Sequence, residues 1–432
     1  MNPIVMSLGF LSCALLLSDR ALYAAEPPRK AEAKNVRLIS YLDLGPNGTG
    51  TQILMQRKTI NGVERKFLYI GGIGQKGLGF HVVDVTNPRS PRIVKQMPKS
   101  QPNTSDGKIQ LFGDILITRN ETRVRRTGGE GPAGIRLYDI ADPTNPKEIS
   151  YFYTGGTGVH RFYWEGGPYV HVAGGADGFV RGPDGLFGRI YMIVDISDPK
   201  SPKEVSRWWI PGMWKGGGEN PNWGKEETYN NHEVHALGNR TYNAWWDAGL
   251  VILDISDIKK PRFISRLDWS PPYGGATHTV LPLPQRKLLI ITDEEVHDNC
   301  KGPLKLIWIV DITDETRPLP LSTFPRPQGD YCQRGKRFGP HSVHKNWKGS
   351  KIDDQVIYAT YFNAGLRIVD ISEPFRPEEI GYYVPAPPLG AKEQFVQTDD
   401  VYVDTEGYIY LSDRLHGGLW IVQFTGRTKR GK

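Results

Sequence analysis

One motif recurs along the sequence and restricts the possible folds more than any other feature. Each copy is an apolar segment that ends in Asp and leads into a short turn; examples are GLVILDISD from Gly249 and GLRIVDISEP from Gly365. The terminal aspartates follow one another at intervals of 55, 56, 59, 57 and 59 residues, at Asp84, Asp139, Asp195, Asp254, Asp311 and Asp370. Gln423 takes the same place in a seventh copy, 53 residues further on. A period of this length indicates a repeat architecture.

Each period contains four strand-like segments and no helical periodicity. After Asp311 these segments read PLPLSTFP, HSVHKNW, QVIYATYF and GLRIVDI. Four short antiparallel strands per repeat are typical of a propeller blade. The composition agrees, because 49 Gly and 33 Pro supply many turns and a charged fraction of only 23% excludes a coiled coil.

The last copy lacks an outer strand, and a matching strand is found near the N-terminus. The segment NVRLISYLDLG from Asn35 is similar to outer strands of other repeats, such as KEISYFYTG from Lys147. Pairing of this segment with the last repeat would close a ring and leave only protected strand edges. We therefore expect an all-β fold in which residues 35–425 form a single seven-bladed β-propeller.

The repeat motifs also resemble those of a known family. GLVILDISD and GLRIVDISEP are similar to the repeats of the LVIVD-repeat family of secreted and cell-surface bacterial and archaeal proteins, and the similarity extends over nearly all of residues 35–425. The resemblance implies a β-propeller and export from the cytoplasm. It implies no particular catalytic activity, so a function must be argued from the site itself.

The N-terminal segment has the pattern of a targeting signal. An apolar run from Ile4 to Leu17 is too short to cross a bilayer comfortably, and the small residues Ala24 and Ala25 follow it. No Lys or Arg precedes the run, which departs from the usual pattern. We expect residues 1–25 to be a signal peptide, the protein to be periplasmic or secreted, and no transmembrane domain to be present.

Export bears on the cysteines. Removal of residues 1–25 leaves Cys300 and Cys332 of the three cysteines in the sequence. Two cysteines in an oxidising compartment usually pair, so we expect a disulfide between them.

The charge pattern gives little sign of a macromolecular partner. The net charge of +7 comes from 54 basic and 47 acidic residues, and the only basic cluster is at the C-terminus. We expect residues 426–432 to be a flexible tail and the protein to be a monomer that does not bind nucleic acid.

Four histidines occupy one place in the repeat, at the start of the innermost strand. They are His160, His232, His278 and His341, and Asp399 has this place in the last repeat. Inner strands of a propeller surround its axis, so these side chains should converge on a site for iron or copper, with zinc also possible. The alternative is that they only hydrogen-bond to neighbouring repeats. The corresponding region of the second repeat, Asp106-Gly107-Lys108, offers no clear ligand.

The turns and loops on the same face supply further candidates. Asp399, Asp247 and Glu294 are candidate catalytic carboxylates that could act as general bases. The candidate substrate-binding residues are Trp214, Trp245, Tyr361, Arg337 and His416. Aromatic side chains favour an apolar or aromatic small molecule, and arginine favours an anionic group.

Together these features predict an exported metalloenzyme, specifically an oxidoreductase acting on a small, aromatic or apolar molecule. Two alternatives stay open. One is a non-catalytic propeller that binds a protein or glycan through the loop-rich face; the other is a metal-assisted hydrolase or lyase that uses zinc-bound water. The sequence contains no GxSxG or P-loop motif that would indicate another chemistry.

Overall fold

A computed structural model describes residues 31–45, 50–72, 78–122, 131–389, 391 and 393–428. The expected signal peptide, residues 1–25, lies outside the described residues, as do residues 429–432 of the expected tail. Within the described part of the chain, no helix combines the length and apolar character needed to cross a membrane.

The fold is all-β and consists of antiparallel meanders, in which successive strands pair with one another. Two N-terminal strands come first: β1 (Glu32–Lys34) and β2 (Val36–Asp43). Meander 1 contains β3 (Gly50–Ile60), β4 (Val63–Gly72), β5 (Leu78–Asp84) and β6 (Arg92–Pro98). Meander 2 contains β7 (Thr104–Ser105), β8 (Ile109–Phe112), β9 (Ile115–Thr122), β10 (Gly134–Asp139) and β11 (Lys147–Tyr153). Meander 3 contains β12 (Val159–Tyr163), β13 (Tyr169–Val180), β14 (Phe187–Asp195) and β15 (Lys203–Trp208).

The remaining meanders continue the pattern. Meander 4 contains β16 (Tyr229–Leu237), β17 (Arg240–Trp246), β18 (Leu250–Asp254) and β19 (Arg262–Leu267). Meander 5 contains β20 (Thr277–Leu283), β21 (Leu288–Asp293), β22 (Ile307–Asp311) and β23 (Leu319–Thr323). Meander 6 contains β24 (Val356–Thr360), β25 (Leu366–Asp370) and β26 (Glu378–Val384), and meander 7 contains β27 (Thr398–Val403), β28 (Tyr408–Asp413) and β29 (Gly418–Phe424). Short helical segments occur at Lys215–Gly217, Pro284–Arg286, Asp298–Cys300 and, as an α-helix, at Tyr331–Arg334.

The two N-terminal strands complete the last two meanders. Strand β2 pairs antiparallel with β29, so it forms the outer edge of meander 7. Strand β1 pairs with β26 and adds an outer strand to meander 6. On the inner side of meander 6, Val343 forms an isolated bridge with Ala359, where the other meanders have a regular inner strand.

The recurrent aspartate has a local structural role. In each of the first six copies, its carboxylate accepts a hydrogen bond from the backbone N–H two residues further on, for example Thr86 N at 2.9 Å from Asp84 and Ser256 N at 2.7 Å from Asp254. This Asx turn ends the third strand and reverses the chain. The strand before it is buried on both faces between neighbouring meanders, which explains its continuous apolar sequence.

Serine side chains join neighbouring meanders at their outer strands. Ser150 of meander 2 donates to the carbonyl of Pro199 in meander 3 at 2.5 Å, and equivalent bonds run from Ser206 to Ile258, from Ser265 to Glu315 and from Ser322 to Pro374. Ser40 of β2 donates to the carbonyl of Pro88 in meander 1 at 2.6 Å. The last meander therefore contacts the first.

Candidate functional site

The inner strands carry the predicted axial residues on β-bulges. The register of β12, β20 and β27 slips by one residue, and the extra residues are His160, His278 and Asp399 respectively. The register of β16 also slips, in the segment that contains His232. A bulge changes the direction of the side chains, so the extra residue and the residue after it need not lie on opposite faces.

The structure brings the four histidines into one row. The ring centroids are 4.3 Å apart for His160 and His232, 4.2 Å for His232 and His278, and 4.2 Å for His278 and His341. The side chains of the last three are at most 2% exposed, whereas that of His160 is 20% exposed.

Hydrogen bonds to Nδ1 orient these imidazoles. His232 Nδ1 lies 3.1 Å from the carbonyl of His278, and His341 Nδ1 lies 2.6 Å from the carbonyl of Asp399. His160 Nδ1 lies 2.8 Å from a carboxylate oxygen of Glu121. Because these oxygens accept, Nδ1 carries the proton and Nε2 keeps its lone pair.

The same histidines are held in the neutral form. Burial lowers the pKa of His232, His278 and His341 well below the ordinary value, and neighbouring arginines lower it further. Burial and the nearby Arg189 act in the same direction on the pKa of His160. Neutral imidazole is the form that binds metal ions.

Glu294 faces three of these imidazoles. Its Oε2 lies 3.8 Å from Nε2 of His232 and 3.7 Å from Nε2 of His278, and its Oε1 lies 3.9 Å from Nε2 of His341. One ligand atom each from His232, His278 and Glu294 lies within 4.8 Å of the others, a spacing that could hold a metal ion. Glu294, a candidate general base in the sequence, therefore lies beside three of the imidazoles.

A buried ion network lies next to the histidines. Arg161, the residue after His160, donates from Nη1 to Glu233 Oε2 at 2.6 Å, and Lys345 Nζ donates to the other oxygen of Glu233. Arg161 Nη2 also donates to Nε2 of His278 at 3.2 Å. This network was not predicted from the sequence; charged residues in inner strands that are otherwise apolar indicate it, but they do not show that its members lie beside the histidines.

Asp399 also lies among buried charged side chains. Lys108 Nζ lies 3.4 Å from its Oδ2, and Arg414 donates to its Oδ1. Burial alone would raise the pKa of Asp399, but Arg414 and Lys108 hold it well below its usual range. A carboxylate this acidic is a poor general base, so the contacts of Asp399 indicate a partner in ion pairs. Lys108 comes from the region of the second repeat in which no ligand was expected.

The end of β17 and the residues directly after β24 differ from two predictions. Trp245 and Tyr361, predicted to bind substrate, are 0% and 2% exposed and pack in the core, so they do not line an accessible surface. In both places the next residue along the chain contacts the site instead. Trp246 lies 5.0 Å from His232 and Phe362 lies 4.8 Å from His341 between ring centroids. Both have positive φ, 52° and 43°, which turns their side chains away from the strand alternation.

Two other candidates have structural contacts. The carboxylate of Asp247 accepts the backbone N–H of Thr228 at 2.8 Å and that of Ala276 at 3.0 Å, which ties two loops together. His416 Nε2 donates to the carbonyl of Phe395 at 2.7 Å.

The last two substrate-binding candidates differ in position. Trp214 is 40% exposed, and its indole stacks on Phe179 with centroids 6.2 Å apart. Arg337 reaches the histidine site, because its Nη1 lies 2.8 Å from Glu294 Oε1.

The predicted disulfide is confirmed. Cys300 and Cys332 are bonded, with their Cα atoms 5.4 Å apart. The bond links the helical turn Asp298–Cys300 to the α-helix Tyr331–Arg334, just before Arg337.

Comparison with solved structures shows that the protein has a β-propeller fold. It resembles the β-propeller domain of Cps50 (Swd1) from Myceliophteria thermophila, with 14% identity, 87% of this chain and 96% of that chain covered, and a TM-score of 0.52. The N-terminal domain of Nup159 is similar, with 10% identity, coverage of 92% and 98%, and a TM-score of 0.51. A protein from Lactobacillus plantarum is similar as well, with 12% identity, coverage of 88% and 97%, and a TM-score of 0.52. At sequence identities this low, the similarity establishes the fold only.

The chain also contains LVIVD repeats. The family model for this repeat matches residues 188–208, 230–268 and 356–384, which confirms the resemblance seen in the repeat motifs. No curated protein matches the sequence.

Proposed function

We propose that the protein binds a divalent transition-metal ion at its axis and uses it in an oxidation–reduction reaction of a small molecule. The metal would be held by His232, His278 and Glu294, whose ligand atoms lie within 4.8 Å of one another, and by His341 and His160, which flank them in the row. The proposal depends on one observation: the Nε2 atoms of three buried imidazoles face one carboxylate, at 3.7–3.9 Å. Hydrogen bonds to Nδ1 that fix the ring and its tautomer are usual behind metal-binding histidines.

The donor set favours iron or copper, and zinc remains possible, because imidazole binds all three. Such an ion, when bound, would supply electron transfer or polarise the substrate. The protein's own residues orient the imidazoles through carbonyl and carboxylate acceptors and cover the row with Trp246 and Phe362. A zinc-only site would instead favour the hydrolase or lyase alternative.

A second candidate function is a non-catalytic binding propeller, and one observation favours it. Arg161 Nη2 and Arg414 Nη2 each lie 3.2 Å from an Nε2 atom, of His278 and His341 respectively. Guanidinium only donates, so these bonds use lone pairs that a metal would need. On this reading the histidines complete a structural network, and the loop-rich face binds a protein or glycan.

We also propose that the meanders are the blades of a closed seven-bladed ring and that the protein is an exported monomer. Seven meanders in the described residues and the bond from Ser40 in meander 7 to Pro88 in meander 1 support the closed ring. The LVIVD repeats and the disulfide between Cys300 and Cys332 support export, because disulfides persist in oxidising compartments.

Metal retention by matched histidine variants tests the metal proposal. We expect His232→Ala combined with His278→Ala to lose bound metal while the purified protein stays folded. His81→Asn is the control, because His81 is equally buried and its Nδ1 bonds to Gln96 in meander 1. It should keep the wild-type amount of metal per folded molecule. Equal metal retention by the double variant and the control would favour the non-catalytic propeller.

A further inference from the structure

Two guanidinium groups contact the ring of Phe362, at the end of the histidine row where His341 lies. The Cζ atoms of Arg337 and Arg414 are 5.6 and 5.0 Å from the ring centroid of Phe362. Their side chains are 29% and 19% exposed, whereas that of His341 is 2% exposed. A molecule that approaches His341 from solvent on this side therefore meets the arginines first.

Each arginine also contacts a group of the proposed metal site. Arg337 Nη1 donates to Glu294, and Arg414 Nη2 donates to His341 Nε2. Among the described residues, these guanidiniums still have donors without a hydrogen-bond partner, Nε and Nη2 of Arg337 and Nη1 of Arg414. An anion bound by the free Nη1 of Arg414 would lie next to His341, because Nη2 of the same guanidinium is 3.2 Å from His341 Nε2.

We propose that Arg337 and Arg414 bind the carboxylate of a small organic acid and hold it beside the histidine row. This deepens the proposed function, because it gives the substrate class of the same site. Guanidinium matches carboxylate in shape and forms strong, charge-assisted hydrogen bonds. Contact with the Phe362 ring limits the movement of both groups. Trp246, which is half-buried and stacked on His232, is a second aromatic surface further along the row.

Titration calorimetry with benzoate tests the proposal, and benzamide is the neutral molecule of the same shape. Wild-type protein should bind benzoate saturably and benzamide at least ~10-fold more weakly. Arg337→Gln and Arg414→Gln should each weaken benzoate binding ~10-fold or more, because a hydrogen bond to a charged group contributes about 1.5–3 kcal/mol. Arg317→Gln is the control and should bind as wild type does, since Arg317 is 86% exposed and pairs with Asp314 in an outer turn.

The titration is run on both metal-free and metal-loaded protein, so that the two proposals can fail separately. If wild type holds no metal but binds benzoate through the arginines, the metal proposal fails and the carboxylate site stands. The carboxylate proposal is overturned if metal is bound but benzoate does not bind to the wild-type protein. It is also overturned if benzamide binds as tightly as benzoate and both arginine variants bind benzoate as wild type does. Arg414→Gln leaves the buried Asp399 with Lys108 alone, so circular dichroism must show that it folds; if it does not, the more exposed Arg337→Gln decides.

Discussion

Glu233 neutralises two buried cations, so removal of its charge should destabilise the protein strongly. Its side chain is 1% exposed, and those of its partners Arg161 and Lys345 are 4% and 6% exposed. Glu233→Gln keeps the shape but leaves both cations without their counter-charge in a site that water hardly reaches. Breaking a buried ion pair from one side typically costs about 3–5 kcal/mol. We expect a loss of this size in the free energy of unfolding.

Urea denaturation followed by tryptophan fluorescence measures this loss. Glu204→Gln is the matched control, because Glu204 pairs with Arg207 at 28% and 36% exposure, and an exposed pair contributes about 0–1 kcal/mol. Adding Lys345→Met to Glu233→Gln should recover part of the stability, since one unpaired cation is removed. If Glu233→Gln costs no more than Glu204→Gln, the network is hydrated and the reasoning about burial is wrong.

Three further predictions concern stability. Deletion of residues 35–44 removes the strand that completes meander 7, so the shortened protein should lose its cooperative thermal transition; an unchanged melting temperature would contradict ring closure. Mass spectrometry without reductant should find Cys300 linked to Cys332, and Cys300→Ser with Cys332→Ser should lower the free energy of unfolding by about 3–4 kcal/mol for a closed loop of this length. Burial lowers the pKa of His81 and His171 from 6.5 to about 4. The stability that depends on their neutral form is therefore complete above pH 6.5 and is lost as the pH falls from 6.5 towards 4. The loss should be on the order of 3 kcal/mol for each histidine. His81→Asn should therefore show a smaller loss of stability than wild type between pH 7 and pH 4.5, and equal losses would refute the assignment.

The repeat pattern predicts the meanders well because local physics determines each part of it. An apolar strand buried on both faces needs a continuous apolar sequence, and the aspartate that follows closes a turn with its own backbone, as Asp254 does with Ser256. The pairing of β2 with β29 could be inferred from sequence similarity among outer strands. The pairing of β1 with β26 could not, because the three residues of β1 carry no apolar pattern.

The candidate site could be predicted only in part. Alignment of inner strands brings His160, His232, His278 and His341 together, since equivalent positions surround one axis. Arg161 and Glu233 could not be placed there, because strand alternation directs the residue after each histidine to the opposite face. Bulges at the histidines interrupt that alternation, and the positions of these bulges could not be predicted from the sequence.

The aromatic residues of the site show the same limit. Trp245 and Tyr361 were predicted from the sequence, whereas Trp246 and Phe362 contact the histidines. The difference is one residue in each place, and it arises from a positive φ at a non-glycine residue, which tertiary packing imposes.

The metal content of wild-type protein, purified from its native compartment without chelators, tests the central claim most directly. Elemental analysis should find about one iron or copper ion per chain. X-ray absorption at the edge of that metal should show nitrogen ligands at distances typical of imidazole. The zinc–nitrogen distance is about 2.0–2.1 Å, and we expect similar distances for iron and copper. A folded protein without stoichiometric metal, which also fails to take up iron, copper or zinc when they are supplied, would contradict the claim.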